Sequence, residues 1–381
     1  MALATRPAWK RKSGDRILEF EGLRGVLAWI VVAAHSFFLC GWSGRSGGGF
    51  SVLFHAAEAA VNLFMMLSGF AITHLLIVQK ERFGAYIWRR GCRIVPAYWA
   101  ALTIAVLLNR LMMANLSHLP PTPERDGSLL VSQLGQSRWW IDVPLHLGLL
   151  HGLPPFRWLP FAPFTYLGIA WTLSLEWQFY WAAPLALAVA LRSRLGAAIV
   201  IGGAAVTCCF AATITGAFSE AFLPVKALFI IVGSVTYFAL NGSLTSRNSL
   251  LVLAVSPVAA ALLWWIGSGA GIDGAMTAAA WLAVTAAVRF DAFQPINRFL
   301  NSAVIQHLGR ISYSTYLFHV PVLTLVQAGI WHWLKPGALW QLGLGTAVAG
   351  AVGTLAVAEG GWRLIERPFQ RLGRRPPAAL R

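Results

Sequence analysis

Two histidines, one glutamate and three arginines are the residues of this chain whose types and spacing could do chemistry. His35 lies in GLRGVLAWIVVAAHSFF, eleven residues after Arg24. In a helix, eleven residues turn through about 1100°, within roughly 20° of whole turns, so both side chains share one face about 16 Å apart along the axis. Either could be explained alone, as a snorkelling arginine and a packing histidine. Together on one face they favour a lined path, because ionisable groups at membrane depth usually mark a substrate or ion route. Glu176 lies in WTLSLEWQFY, five residues into a predicted helix and at a depth matching that of His35. An acid and an imidazole at one level could act as a base and its orienting partner, although a single carboxylate also serves as hydrogen-bonding glue between helices. Arg90 and Arg93, three apart in the basic loop between Tyr86 and Pro96, can project to one side of a helical turn. Guanidinium forks suit phosphate groups, while lipid headgroup contact is the plainer use of such a loop. Ser68 in FMMLSGFAI, Tyr180, and the mid-helix His319 in LGRISYSTYLFHVP complete the set as lining of a pore or site. Ser68 with Gly69 also suits close helix packing.

These groups need a scaffold, and the composition says which kind. Hydrophobic residues make up 57% of the 381 residues and charged residues only 12%. A soluble domain carries roughly twice that charged fraction, so this surface could not be kept wet. The apolar residues fall in blocks of about 20, the length that crosses a bilayer as helix. The expected fold is therefore all-α and polytopic. About ten helices are predicted, over 23–41, 52–78, 96–113, 171–191, 196–216, 222–240, 250–267, 272–288, 312–331 and 338–359.

Lys and Arg concentrate on the cytoplasmic side of membrane proteins. With both termini inside, 23 of the 30 basic residues fall on that side, which fixes the expected orientation. The stretch 145–168 is apolar enough for an eleventh span but contains Pro154, Pro155, Pro160 and Pro163, and counting it would put the basic C-terminal tail outside. It is expected to be a re-entrant or membrane-embedded outer segment, covered by protein or lining a cavity. The organisation is then a basic N-terminus over 1–22, a membrane domain over 23–359 with its outer feature near 114–170, and a basic tail over 360–381. The four cysteines show no CxxC or Cys/His metal spacing, so neither a disulfide framework nor a metal site is expected. The net charge of +16 belongs to loops between apolar blocks and not to a folded soluble face, which argues against nucleic acid.

Taken in order, Arg24-x10-His35, FMMLSGFAI, Arg90-x-x-Arg93, WTLSLEWQFYW, LGRISYSTYLFHVP and Ile365-Glu-Arg-Pro368 resemble the membrane-bound acyltransferase family 3, typified by O-antigen acetylases. The resemblance covers nearly the whole chain. It implies transfer of an acyl group, usually acetyl, from cytoplasmic acyl-CoA to a hydroxyl of an extracytoplasmic carbohydrate, in the bacterial inner membrane. It implies His35 as the essential histidine and Glu176 as its outer-side glutamate, with Arg24, Arg90 and Arg93 on the CoA phosphates. Acetyl-CoA or another acyl-CoA is then a co-substrate, with no permanently bound cofactor. Direct attack by the hydroxyl and an acyl-histidine intermediate both remain open, as does the acceptor: O-antigen, exopolysaccharide, peptidoglycan, glycolipid or a small glycoside. The alternative class is a secondary transporter or lipid-linked sugar flippase, which also places charges near the bilayer midplane but often carries inverted repeats, not found here.

Overall fold

A backbone in hydrocarbon must satisfy its own N–H and C=O groups, so an apolar chain folds there as helix. The computed structural model describes residues 17–42, 51–290, 293–375 and 377, and among them there are helices and turns but no strand. The helices are α1 (Leu18–Phe38), α2 (Ser51–Gln79), α3 (Phe83–Ser117), α4 (Pro123–Ser137), α5 (Trp139–Leu147), α6 (Trp171–Arg192), α7 (Arg194–Cys209), α8 (Ala211–Ala217) and α9 (Leu223–Leu240). They continue as α10 (Ser246–Ser268), α11 (Gly271–Arg289), α12 (Gln294–Leu300), α13 (Ala303–Leu334), α14 (Leu339–Gly361) and α15 (Arg367–Gly373).

Among the described residues, eight stretches are long and apolar enough to cross a membrane: α1, α2, α3, α9, α10, α11, α13 and the run from α14 through α15. The pair α7 and α8, bent by 75°, makes a ninth if it is one broken span. The expected ten thus become eight or nine. The difference is α6, which stands where a fourth span was expected but carries Thr172, Ser174, Glu176 and Gln178 in its first two turns. The protein is an all-α polytopic membrane protein.

α13 is the spine of the bundle. Every residue from Ile311 to Thr324 is buried, which places this helix in protein on all sides rather than against lipid. It packs on α1, α3 and α14. The second tight contact is α2 against α9, where two glycines bring the backbones together. A Cβ on Gly69 would lie 1.9 Å from the Ile230 carbonyl oxygen, and one on Gly233 would lie 1.8 Å from that of Met66. Small residues serve this purpose where apolar lipid gives helices no hydrophobic reason to associate.

Two segments differ from expectation. The basic stretch before Pro96 is not a loop: α3 begins at Phe83 and runs through it, with Arg90 and Arg93 on its first turns. Residues 362–373, expected in a tail, continue the last helix through a π-helical turn, Trp362–Glu366, into α15. A π-turn inserts a residue and so rotates the rest of the helix about its axis, and here the Glu366 side chain is buried. The basic residues at positions 6–16, together with Arg45 and Arg381, lie outside the described residues.

The proline-rich outer segment folds into the bundle instead of crossing it. Thr122 caps α4, accepting from the Arg125 N–H at 3.2 Å, and Pro123 starts the helix. After α5 the chain turns through left-handed backbone at Leu149, Phe161 and Tyr166. Protein covers this irregular stretch. His146 and His151 are fully buried and stack with centroids 4.0 Å apart, and the Tyr98 hydroxyl of α3 donates to the His146 carbonyl at 3.0 Å. The Ser174 hydroxyl of α6 donates to the Leu149 carbonyl at 2.8 Å.

Methyl groups at the α2–α9 contact have nowhere to go, so Gly233→Ala is expected to force the helices apart at a cost of about 1–3 kcal/mol or more. The check is the melting temperature and monodispersity of the variant in detergent; an unchanged melting temperature would refute the close approach.

Candidate active site

The chemistry-bearing residues collect in two groups along the spine. In the first, α1 contributes Arg24, α3 contributes Arg90 and Arg93, α6 contributes Glu176 and Tyr180, and the π-turn contributes Glu366. Glu176 lies within electrostatic range of all three guanidinium groups, and Glu366 within range of Arg24 and Arg93. The Arg90 guanidinium sits 5.9 Å from the centroid of the Tyr180 ring, a cation–π contact.

Neutral donors meet both carboxylates, at each oxygen of Glu366 but only at Oε1 of Glu176. Glu176 accepts from the Ser68 hydroxyl at 2.9 Å and from the Tyr180 hydroxyl. Glu366 accepts from the Ser314 hydroxyl at 2.9 Å and from the Gln370 amide at 2.8 Å. The arginines keep their forks open: among the described residues, Arg24, Arg90 and Arg93 make no hydrogen bond or ion pair, and Arg90 Nε is buried without a partner. Some arginines near other acids are engaged instead. Arg89 engages Glu81 and Gln79, Arg138 engages Asp142 at 2.9 Å, and Arg363 engages Glu359 at 2.5 Å. Three guanidinium groups with free planar donors at one place form a receptor for a multiply charged anion such as phosphate.

A cavity of about 50 Å³ opens beside this group, lined in part by Arg24, Ser68, Glu176, Tyr313 and Tyr316. It has room for a few waters and is far below the roughly 300–1,000 Å³ of a typical ligand pocket. Tyr316 closes it. Its hydroxyl bonds the Ile169 carbonyl at 2.9 Å and the Thr172 hydroxyl at 2.8 Å, tying α13 to the start of α6.

The second group lies one helical turn beyond Tyr316. His319 is fully buried, and its ring centroid is 5.1 Å from that of His35. His319 Nε2 is 3.2 Å from His35 Nδ1, and His319 Nδ1 is 2.8 Å from the Tyr316 carbonyl oxygen.

Two expectations change here. His35 and Glu176 are not a pair: Glu176 stands among the arginines, and the neighbour of His35 is His319. Equal depth would require α6 to start at the outer surface. The outer segment instead folds inward, so α6 begins at the level of Tyr316. Three residues separate His319 from Tyr316 and four separate Thr172 from Glu176, which puts the two groups about 10 Å apart along the bundle. The continuous passage expected from the shared face of Arg24 and His35 is likewise interrupted. Arg24 lines the cavity, whereas His35 and His319 lie beyond its end.

Ser68 and Tyr180, expected as lining, are the two hydroxyl donors to Glu176. The sequence offers no role for Glu366, Ser314, Tyr313, Thr172 or Tyr316. Glu366 belongs to the Ile365-Glu-Arg-Pro368 motif, but only the π-turn reveals that it faces inward.

The fold is that of a polytopic membrane protein with three arginines gathered at one level and two neighbouring imidazoles at another. A sequence profile of the Acyltransferase domain, acyltransferase family 3, matches residues 17–358, and the chain belongs to that family. It is a membrane-bound acyltransferase. It is similar to Nodulation protein 10 of Rhizobium leguminosarum bv. viciae, 27% identical over 346 residues covering 85% of this chain and 84% of that protein. It is also similar to the peptidoglycan O-acetyltransferase OatA of Listeria monocytogenes, 24% identical over 408 residues covering 95% of this chain but only 57% of that protein. No solved structure matches. These comparisons lend no support to the transporter or flippase alternative.

Ser68→Ala removes one of the two donors to Glu176, and a carboxylate short of donors in a membrane protein is expected to cost about 1–3 kcal/mol. Detergent unfolding curves would measure it, and superimposable curves would mean that Ser68 is not holding the carboxylate.

Proposed function

We propose that the protein is an O-acyltransferase that takes an acyl group, acetyl by preference, from acyl-CoA at its arginine end and delivers it to a carbohydrate hydroxyl at the other. The supporting observation is the trio of unpaired guanidinium groups, Arg24, Arg90 and Arg93, beside the cavity. CoA carries phosphate groups at one end and the thioester at the end of a long, thin arm. Phosphates held by the arginines leave that arm to reach along the spine toward His35, about 16 Å from Arg24 along α1. The arm would displace water from the cavity and turn Tyr316 aside.

His35 is the general base. It takes the proton of the acceptor hydroxyl as the oxygen attacks the thioester carbonyl carbon. The carbon–sulfur bond breaks, and the proton passes to the departing thiolate, leaving ester and free CoA. Glu176 belongs to the donor end in this reading, where its hydroxyl-bonded carboxylate offsets charge among the arginines without closing their forks. The arginine end faces the cytoplasm of a bacterium, where acyl-CoA is made, and both termini lie there in accord with the positive charge of the loops. The acceptor lies outside that membrane. The Listeria relative is named a peptidoglycan O-acetyltransferase, which favours acetyl as the group and a glycan as the acceptor class. No cofactor remains bound between turnovers.

Arg90→Ala and Arg93→Ala are expected to weaken CoA binding about 10- to 100-fold each, the value of a lost charged hydrogen bond or two. Calorimetry with CoA on purified protein measures this; equal affinity in the variants would return both arginines to a topological role. His35→Ala, still folded and binding CoA, is expected to lose about 100- to 10,000-fold in acyl transfer to glycan. Retained transfer would remove His35 from the mechanism.

A further inference from the structure

The hydrogen-bond partners of the two neighbouring imidazoles determine where their protons sit. A carbonyl oxygen only accepts, and a neutral imidazole has one N–H and one bare nitrogen. His319 Nδ1 lies 2.8 Å from the Tyr316 carbonyl oxygen and 3.3 Å from that of Thr315. Both are acceptors, so Nδ1 carries the hydrogen and Nε2 is bare. That bare nitrogen is 3.2 Å from His35 Nδ1, whose other neighbour is the Val31 carbonyl oxygen at 3.1 Å. His35 Nδ1 therefore faces two acceptors and must be its protonated nitrogen. The bare nitrogen of His35 is then Nε2, the one that neither His319 nor the helix backbone engages.

We infer that His319 is the positioning residue of the acyl transfer, acting with the Val31 carbonyl to hold His35 in the tautomer and ring orientation whose Nε2 is free to take the acceptor's proton. This rests on the reading of His35 as the base and deepens it. The order is carbonyl of Tyr316, ring of His319, ring of His35, acceptor hydroxyl. When Nε2 takes the hydroxyl proton, His35 becomes an imidazolium, and its Nδ1–H donates more strongly to His319 Nε2. His319 stays neutral and takes no proton. A second imidazole thus does here what a carboxylate does in a serine protease triad, where loss of the correct tautomer lowers turnover by about 10,000-fold. Glu176 cannot serve, since its carboxylate, held at Oε1 by Ser68 and Tyr180, lies about two helical turns away. Between Ile311 and Thr324 the helix is otherwise apolar or hydroxyl-bearing, and His35 is the partner of His319 Nε2 among the described residues, which fits this use.

The experiment compares His319→Gln with His319→Leu in purified full-length protein, using acetyl-CoA as donor and a short chitin or peptidoglycan fragment as acceptor. Gln can place a side-chain oxygen to accept from His35 Nδ1–H, and Leu cannot. His319→Leu is expected to lower kcat by about 100-fold or more with KM for acetyl-CoA unchanged, and His319→Gln to recover it to within about tenfold of wild type. Equal losses in the two variants, or kcat and KM moving together, would assign His319 to packing and overturn the inference. A second measurement needs no active variant: in 15N-histidine-labelled wild type, His35 should show a protonated Nδ1 and a bare Nε2. The opposite tautomer would overturn the inference by itself. Wild type that binds no CoA, or His35→Ala that transfers normally, would instead defeat the reading of the base.

Discussion

Hydroxyl and amide donors on two carboxylates are the arrangement on which this site depends. A bare carboxylate near a guanidinium pairs with it, usually through two parallel hydrogen bonds, and a paired arginine has no fork to offer a ligand. Here Ser68 and Tyr180 both donate to Oε1 of Glu176, and Ser314 and Gln370 donate to one oxygen each of Glu366. The acids stay close enough to temper the mutual repulsion of Arg24, Arg90 and Arg93, but they leave the donors free. Three forks aimed at one place are worth more in this setting than in water, because a low-dielectric surround strengthens every charge interaction. That one choice leaves three guanidinium groups without an ion pair where an internal network would otherwise form, which is what the proposed phosphate site requires.

α13 carries the consequences along the bundle. Its Ser314 holds Glu366 at the arginine end, its Tyr316 closes the cavity against Thr172 and Ile169, and its His319 meets His35 one turn further on. A helix buried on every side cannot hide a polar group in lipid, so each of these side chains must find a partner within the protein. Ser314, Tyr316 and His319 are therefore three fixed contacts on one helix, at the levels where the proposed function puts the donor site, the cavity and the base. The irregular outer segment belongs to the same design. By folding into the bundle it lets α6 start beside Tyr316, which lowers Glu176 to the arginines.

Much of this is legible in the residues. The spacing of Arg24, Arg90 and Arg93 and the chemistry of guanidinium mark them as an anion site, and the structure brings all three together. The eleven-residue interval marks His35. Its partner is hidden for a physical reason: depth counted from the start of each helix holds only if every helix begins at a membrane surface. For α6 that condition fails, because Pro154, Pro155, Pro160 and Pro163 lie in a segment that enters the bundle without crossing it. Glu366 is hidden for a different reason. A 3.6-residue period carried through 362–366 points the wrong way, and only the extra residue of the π-turn brings that carboxylate inside.

Composition and spacing alone settle that the chain is helical and lies in a membrane, since apolar blocks of bilayer length leave the backbone no other way to satisfy its hydrogen bonds. They also settle which residue types could bind phosphate or move a proton. Which of those residues face one another is decided only in three dimensions. Pairing across α1, α3, α6 and α13 depends on where each helix begins relative to its neighbours. That offset is fixed by side chains packing between helices, which no periodicity within a single helix records.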